Sequence, residues 1–151
     1  LAGIPGASIF AKTIFGRWMI SSNLKEVFYH ADWVDDARID AYYARMRTDG
    51  ALDAMIAVIK ALDFKKLDPY ARRANQIKSH TLIIHGKNDN WIPIEDSYAL
   101  RRQIPDSIMA VIPECGHVPQ EEHPEITGRL ILDFLNGSLT KDTLLTSLDH
   151  P

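Results

Sequence analysis

The sequence contains a single cysteine, no strong excess of either charge and no long apolar run, and each shortage excludes a class of protein. One cysteine, Cys115, rules out an internal disulfide framework, which favours a reducing compartment such as the cytoplasm. The formal net charge of −3 gives no reason to expect nucleic acid or a membrane surface as a partner. No stretch approaches the roughly 18 apolar residues of a membrane span, so a transmembrane helix is not predicted.

The composition that remains is that of a globular protein. Of the 151 residues, 46% are hydrophobic and 25% are charged, which argues against disorder. This length is sufficient for a domain with its own core. The chain does not begin with methionine, and Lys12 and Gly16 interrupt any core of a signal sequence near its start. We therefore interpret the chain as an internal segment of a larger protein.

The first half of the chain has the periodicity of helices. A helix is predicted over 8–20, followed by a break at Ser21 to Asn23 and a second short helix over 24–31. Two better marked helices follow at 36–47 and 51–62, where apolar residues recur three and four positions apart. One further short helix is predicted within 64–76. We therefore predict that residues 1–76 form a helical lid or cap region.

The second half alternates between strands and helices. Thr81 to His85 and Ile108 to Ile112 are short apolar runs of the kind found in buried parallel strands. Residues 95–104 between them are long enough for the crossover helix that parallel pairing requires. A last helix is predicted from Pro124 to Gly137, and its predicted sheet-facing residues are Ile126, Leu130, Ile131 and Phe134. Residues 77–137 therefore form a predicted βαβα unit of the α/β class, and 138–151 a tail in which a short helix is one interpretation.

Each predicted strand is followed by a residue of a type used in catalysis. Asp89 lies in the loop after the first strand, within LIIHGKNDNWIP, and His117 lies after the second, within IPECGHVPQEEHPE. Because parallel strands end at the same edge of a sheet, both loops are expected at the edge where α/β proteins build their sites. The 28 residues that separate Asp89 from His117 fit one helix and one strand.

These two stretches resemble the end of an α/β hydrolase, in which the acid of a catalytic triad follows one late strand and the histidine follows the last. The resemblance implies a partial α/β hydrolase fold, a helical lid inserted before the acid-bearing strand, and the chain order Ser, then acid, then His. It also implies His117 as general base and then acid, with Asp89 as the carboxylate that orients it. No cofactor and no metal are required for such chemistry.

The nucleophile of this triad is missing from the sequence. A serine hydrolase is expected to carry its serine in a GxSxG turn between a strand and a helix. None of the eight serines has that setting, and Ser8, which follows Gly6 and Ala7, lacks the second glycine and a preceding strand. We therefore expect the chain to be a C-terminal fragment that is inactive alone.

Each candidate residue also has a plainer interpretation. Asp89 and His117 are acceptable as ordinary loop residues. Trp91, Trp18 and Tyr43 are weaker candidates for contact with substrate, and packing in the core is the alternative for each. A convincing zinc site needs more ligands than Cys115, His117 and His123, so Cys115 is expected to be a small buried residue. His85 ends its strand and is expected to be a packing residue.

Two functions from different classes follow. The first is a serine hydrolase that acts on a small ester-like substrate, with dehalogenase, epoxide, haloperoxidase-like and C–C bond hydrolases as variants of the same fold. The second is a non-catalytic association module that dimerises or pairs with the missing N-terminal half, because a two-stranded sheet leaves an edge and an apolar face uncovered. Self-association of the isolated chain is expected in the second case.

Overall fold

The computed structural model describes residues 16–62 and 73–139, and the first of these ranges is helical. Helix α1 spans Arg17–Val27, a 3₁₀ turn follows at Ala31–Trp33, and helices α2 and α3 span Asp36–Met46 and Ala51–Ala61. The side chain of Asp35 caps α2 by accepting a hydrogen bond from the Arg38 N–H at 2.7 Å. The ends of α2 and α3 agree with their predicted ranges to within one residue.

The break predicted at Ser21 to Asn23 was wrong, because α1 runs through it. These polar residues are not fully buried, whereas Leu24 and Val27 of the same helix are buried. Burial of the apolar face stabilises the helix enough to override the weak helical preference of serine and asparagine. The helix ends at Val27, four residues before the predicted end at Ala31.

The second range forms a βαβα unit after a 3₁₀ turn at Ala74–Gln76. Strand β1 spans Thr81–Gly86, helix α4 spans Ile94–Gln103, and strand β2 spans Ser107–Ile112. The strands pair in parallel, with Thr81 opposite Ser107 and Gly86 opposite Ile112. Helix α5 (Pro119–Glu122) and helix α6 (Pro124–Leu135) complete the unit. The predicted α/β class, with a helical part followed by two parallel strands, is confirmed.

Helix α6 differs from its prediction in its length and in the face it buries. It ends at Leu135, and Gly137 lies just beyond it with φ 71°, a conformation that glycine adopts without strain. The Gly137 and Ser138 N–H groups donate back to Phe134 O and Asp133 O, which makes a Schellman cap. Leu130 is buried and Phe134 packs against the core, but Ile126 and Ile131 are exposed, so their predicted role on the sheet side was wrong.

Two apolar clusters form the core of the described residues. The first cluster joins the sheet to α6, and its buried members are Ile108, Ala110, Ile112, Cys115, Leu130 and Leu139. The second joins α1 to α2, and its buried members are Leu24, Val27, Phe28, Val34 and Ile39. Val118, just after His117, packs against the helical cluster. Leu139 extends the sheet cluster two residues into the predicted tail. The histidine loop thus contacts the helical part of the chain directly.

Some predictions fall outside the described residues. These are the start of the first helix over 8–15, most of the helix within 64–76, and the tail helix beyond 139. Across the two described ranges, no helix has both the length and the apolar character needed to cross a membrane. The boundary at residue 76 between lid and βαβα unit stays a prediction.

The loop after β2 lies so close to the end of β1 and to the end of α1 that neither contact leaves room for a side chain. A Cβ on Gly86 would lie 2.0 Å from Gly116 O, and one on Gly116 would lie 2.2 Å from Val27 O. The Lys87 and Asn88 N–H groups donate across this junction to Ile112 O and Cys115 O, both at 2.8 Å. Main-chain contacts therefore hold the two loops close together.

We expect Gly86→Ala to lower the free energy of unfolding by about 1–3 kcal/mol, because the added methyl group overlaps fixed backbone atoms. Gly128→Ala is the matched control, since a Cβ at Gly128 in α6 meets no atom within 4 Å. That substitution should raise the free energy of unfolding by up to about 1 kcal/mol through helix propensity. Urea unfolding of both variants measures the difference, and equal stabilities would contradict the close approach.

Candidate active site

Asp89 organises the loop after β1. One carboxylate oxygen, Oδ1, accepts hydrogen bonds from the Trp91 and Ile92 N–H groups at 2.8 and 3.0 Å. The side chain is only 5% exposed. Because these bonds tie Asp89 to the backbone of its own loop, its second oxygen is held pointing in one direction.

His117 is fixed by backbone contacts in the loop after β2. Its N–H donates to Val27 O at 2.7 Å, which joins the loop to the end of α1. The preceding Gly116 fits against the same helix end. The side chain is about one third exposed, so the ring is supported on one side and accessible on the other.

The two predicted residues meet. His117 Nδ1 lies 2.8 Å from Asp89 Oδ2, a hydrogen-bonding distance. An ionised carboxylate only accepts, so the ring must carry its proton on Nδ1. No group in residues 16–62 or 73–139 hydrogen-bonds to Nε2 of this ring. Such a pair can take a proton from a hydroxyl group at Nε2 and later return it.

The environment of Asp89 keeps its carboxyl group ionised. Burial alone would raise the pKa of Asp89, but hydrogen bonds from Ile92 N–H, the His117 ring and Trp91 N–H outweigh it. The net effect lowers the pKa of Asp89 below its ordinary value of 3.8. Near neutral pH the carboxylate is therefore negative and able to stabilise a protonated His117.

His85 supports the acid loop, a role that the sequence analysis missed. Its ring is buried, with Nε2 3.2 Å from Ile92 O and Nδ1 2.8 Å from Ser97 Oγ. Since a carbonyl oxygen only accepts, Nε2 carries the proton and Ser97 donates to Nδ1. His85 Nε2 also lies 3.8 Å from Asp89 Oδ2. A histidine within an otherwise apolar strand is the sequence signal for such a role, and its predicted role was packing alone.

The three candidate substrate-contacting aromatics lie in different places. Trp91 is 49% exposed, and the centre of its ring is 5.4 Å from that of His117. Trp18 is exposed on α1, and Tyr43 on α2 is half-buried with Arg47 over its ring. Among the aromatic contacts of the described residues, Trp91 alone pairs with His117. The structure thus brings one of the three to the site.

Cys115 is fully buried in the sheet cluster, as predicted. Burial, together with the negative charge of Glu122, raises the pKa of its thiol to about 12. The thiol is therefore protonated near neutral pH and is a poor nucleophile. Within the described part of the chain, no group of three histidine, cysteine or acidic side chains is arranged to hold a metal ion.

Two neighbouring acids on α5 join the helical part to the histidine loop, and the sequence analysis assigned neither. Glu121 pairs with Arg38 at 2.8 Å and accepts a hydrogen bond from the Tyr42 hydroxyl, both on α2. Burial and this bond raise the pKa of Tyr42 to about 12. Glu122 is buried and binds backbone N–H groups instead. The run of two acids after the histidine was the only available signal.

The absence of a nucleophile from this sequence stays a prediction, and the serines of the described ranges have other contacts. Ser97 bonds to His85, Ser107 bonds to backbone oxygens of α4 and its end, and no serine within the described ranges contacts His117. Ser8 lies outside the described residues. None of these described serines is therefore placed for activation by His117.

Residues 2–129 match the alpha/beta hydrolase family, and the chain belongs to that family. It is 41% identical over 66 residues to a 2-hydroxy-6-oxo-6-phenylhexa-2,4-dienoate hydrolase of Burkholderia cepacia, covering 43% of this chain and 23% of that protein. It is 32% identical over 106 residues to a 2-hydroxy-6-oxo-6-(2'-aminophenyl)hexa-2,4-dienoic acid hydrolase of Metapseudomonas resinovorans, covering 68% and 36%.

The solved structures agree with this assignment. The fold resembles that of CarC, a serine hydrolase involved in carbazole degradation, with a TM-score of 0.67 and 28% identity. The match covers 81% of this chain and 48% of CarC. The chain therefore spans between about a quarter and a half of the length of these relatives.

The lowered pKa of Asp89 predicts an acid-sensitive fold. A carboxyl group with a lowered pKa in the folded state stabilises the fold above its unfolded pKa of about 3.9, and this contribution is lost as the pH falls through the folded pKa. Asp89→Asn lacks the charge. We therefore expect its free energy of unfolding to be about 1–3 kcal/mol lower at pH 7 and to change less with pH below about pH 5. Urea unfolding between pH 2 and 7 measures both.

Asp106→Asn is the matched control for this experiment. Asp106 also faces a histidine, His80, at 3.0 Å, but both side chains are exposed. Its loss should change stability by less than about 0.5 kcal/mol at pH 7. If the free energies of unfolding of wild type and Asp89→Asn changed in parallel with pH, a stabilising charge on Asp89 would be refuted.

Proposed function

We propose that this chain carries the acid and the base of a serine hydrolase whose nucleophile lies in a part of the protein outside this sequence. The single observation that supports the proposal is the 2.8 Å contact between His117 Nδ1 and the buried Asp89 Oδ2. Membership of the alpha/beta hydrolase family gives this contact a chemical meaning, since the family orders its triad as Ser, acid and His.

In the proposed mechanism His117 acts twice. Nε2 first accepts the proton of the serine hydroxyl as the oxygen attacks the acyl carbon of the substrate. The imidazolium, stabilised by Asp89, then donates this proton to the leaving group. Water repeats the cycle, as His117 takes its proton and returns it to the serine oxygen when the acyl group leaves. No cofactor or metal enters these steps.

The substrate class we propose is a small molecule with an acyl carbon next to a stabilised leaving group. The relatives that are 32% and 41% identical are hydrolases of 2-hydroxy-6-oxo-dienoates, which favours such a compound over a simple ester. The half-exposed ring of Trp91 beside His117 supports the proposal that Trp91 contacts this compound. Contacts from Trp18 and Tyr43 stay predictions, as does a location in the cytoplasm.

The lid assignment is part of the same proposal. We assign residues 1–76 to the lid because α1 and α2 pack together, α1 contacts the loops that hold Asp89 and His117, and α2 contacts α5. In this arrangement the helices would cover the edge of the sheet at which Asp89 and His117 meet. The substrate would then bind between the lid and that edge.

The proposal is tested by completing the enzyme with the N-terminal part of CarC that precedes its match to this chain. The fusion should hydrolyse 2-hydroxy-6-oxo-6-phenylhexa-2,4-dienoate at least tenfold faster than p-nitrophenyl acetate. His117→Gln should lower kcat by about 10²–10⁴-fold, because the proton transfers lose their catalyst. A folded fusion, verified by circular dichroism, that shows no turnover of either compound would refute the proposed function.

The chain by itself is the control for this assay. It should hydrolyse p-nitrophenyl acetate no faster than its own His117→Ala variant, since the described residues offer no nucleophile to His117. Turnover by the chain that is abolished in His117→Ala would show that the attacking group is present in this sequence. A higher rate of the fusion on the ester than on the dienoate would identify an esterase instead.

A second candidate function is association without catalysis, and the outer face of α6 favours it. This face, made of Ile131, Leu132 and Leu135, is exposed, with Leu132 60% and Leu135 71% accessible. Contiguous apolar side chains of this kind mark surfaces that bind another chain. The occupant we propose is a second copy of this chain or the remainder of the protein.

Light scattering of the purified chain tests this second candidate. We expect a mass above that of one chain, and a return to the monomer in the double variant Leu132→Glu and Leu135→Glu, because burial of a carboxylate opposes association. Val58→Glu, an exposed position on α3, serves as the control that leaves α6 unchanged. A well-folded wild-type monomer would exclude self-association through α6.

A further inference from the structure

The carboxylate of Glu122 is buried between two backbone segments. It is 5% exposed, and its two oxygens accept hydrogen bonds from different parts of the chain. Oε1 accepts from Gly116 N–H at 2.8 Å, and Oε2 accepts from Tyr29 N–H at 2.7 Å. Across the described residues no lysine, arginine or histidine forms a salt bridge with it. The two N–H groups are therefore its principal compensation for burial.

Both of these N–H groups lie next to the proposed active site. Gly116 immediately precedes His117, and Tyr29 is two residues beyond Val27, whose carbonyl oxygen accepts the His117 N–H at 2.7 Å. A Cβ on Gly116 would lie 3.0 Å from Glu122 Oε1, so the loop packs tightly against this carboxylate. One carboxylate thus holds the backbone on both sides of the contact that orients His117.

We propose that Glu122 is a positioning residue that fixes the backbone of His117 so that Nδ1 reaches Asp89 Oδ2. Its importance for catalysis rests on the proposed function, but the positioning itself does not. Glu122 touches neither imidazole nitrogen and acts through Gly116 N–H and Tyr29 N–H. Without it the loop at 116–117 and the chain after α1 lose their common acceptor.

Glu122→Gln removes this common acceptor with little change in shape. The amide keeps one oxygen, but its NH₂ group must face one of the two N–H donors, so one hydrogen bond is lost and two donors oppose each other. The loop should then move away from the end of α1. The expected result is a weaker Asp89–His117 contact and a less protected His117 amide.

Glu121→Gln is the matched control one residue away. The side chain of Glu121 binds Arg38 and Tyr42 of α2, and its carboxylate accepts no hydrogen bond from the histidine loop. This substitution weakens the attachment of α2 by a similar chemical change. Any effect on His117 that is specific to Glu122→Gln therefore reports positioning and not a general loosening of the helices.

The test is nuclear magnetic resonance of the 151-residue chain labelled with ¹⁵N at histidine. In wild type and Glu121→Gln we expect His117 to be in the Nδ1–H tautomer. In Glu122→Gln the Nε2–H tautomer should become populated, and exchange of the His117 amide with solvent should accelerate about tenfold or more, as expected for loss of a hydrogen bond to a charged group. If Glu122→Gln does not fold, Glu122→Asp, whose shorter side chain cannot reach both donors, gives the same readout.

Two outcomes overturn the inference. An unchanged His117 tautomer and amide exchange in Glu122→Gln would show that the loop keeps its position without the carboxylate. An equal change in Glu121→Gln would show that the effect is not specific. The two proposals are tested separately. Absence of turnover in the CarC fusion would refute the proposed hydrolysis, whereas the His117 tautomer in Glu122→Gln tests only the positioning role of Glu122.

Discussion

The crossing of two loops at the carboxyl end of the sheet is the constraint on which the rest of this structure depends. Gly86 and Gly116 meet there without room for a Cβ, and main-chain hydrogen bonds join Lys87 and Asn88 to the end of β2 and the loop after it. The separation of Asp89 from His117 is therefore set by backbone geometry. The carboxylate of Glu122 adds a side-chain contact that holds the His117 loop against the end of α1.

The end of α1 is attached to both loops at this crossing. Asn90 approaches Glu26 O at 3.4 Å, His117 N–H donates to Val27 O, and Tyr29 N–H donates to Glu122. Three stretches that are distant in sequence, namely the end of α1, the loop after β1 and residues 116–122, thus lie in contact with one another. Any movement of α1 changes the environment of the proposed acid and base together.

Much of this arrangement could be predicted from the sequence because its causes are local. The apolar runs before Gly86 and Pro113 predict parallel strands, and parallel strands place the residues that follow them at one edge, which is how Asp89 and His117 could be paired. The contacts of Glu122 could not be predicted, since Tyr29 is 93 residues away and offers only a backbone N–H. The continuity of α1 through Ser21 to Asn23 was not predicted because it depends on tertiary packing. Residues of α2 and Val118 help to bury Leu24 and Val27.

The attachment of α1 has a consequence for how such a protein can diverge. Carbonyl and N–H groups are common to nearly all residues, so the contacts at Glu26, Val27 and Tyr29 place few demands on the identity of those side chains. Substitutions at these three positions therefore keep the backbone contacts, except for proline at Tyr29, which would remove the N–H that Glu122 binds. The side chains of α1 near this contact can therefore change in evolution without moving the loops that hold Asp89 and His117.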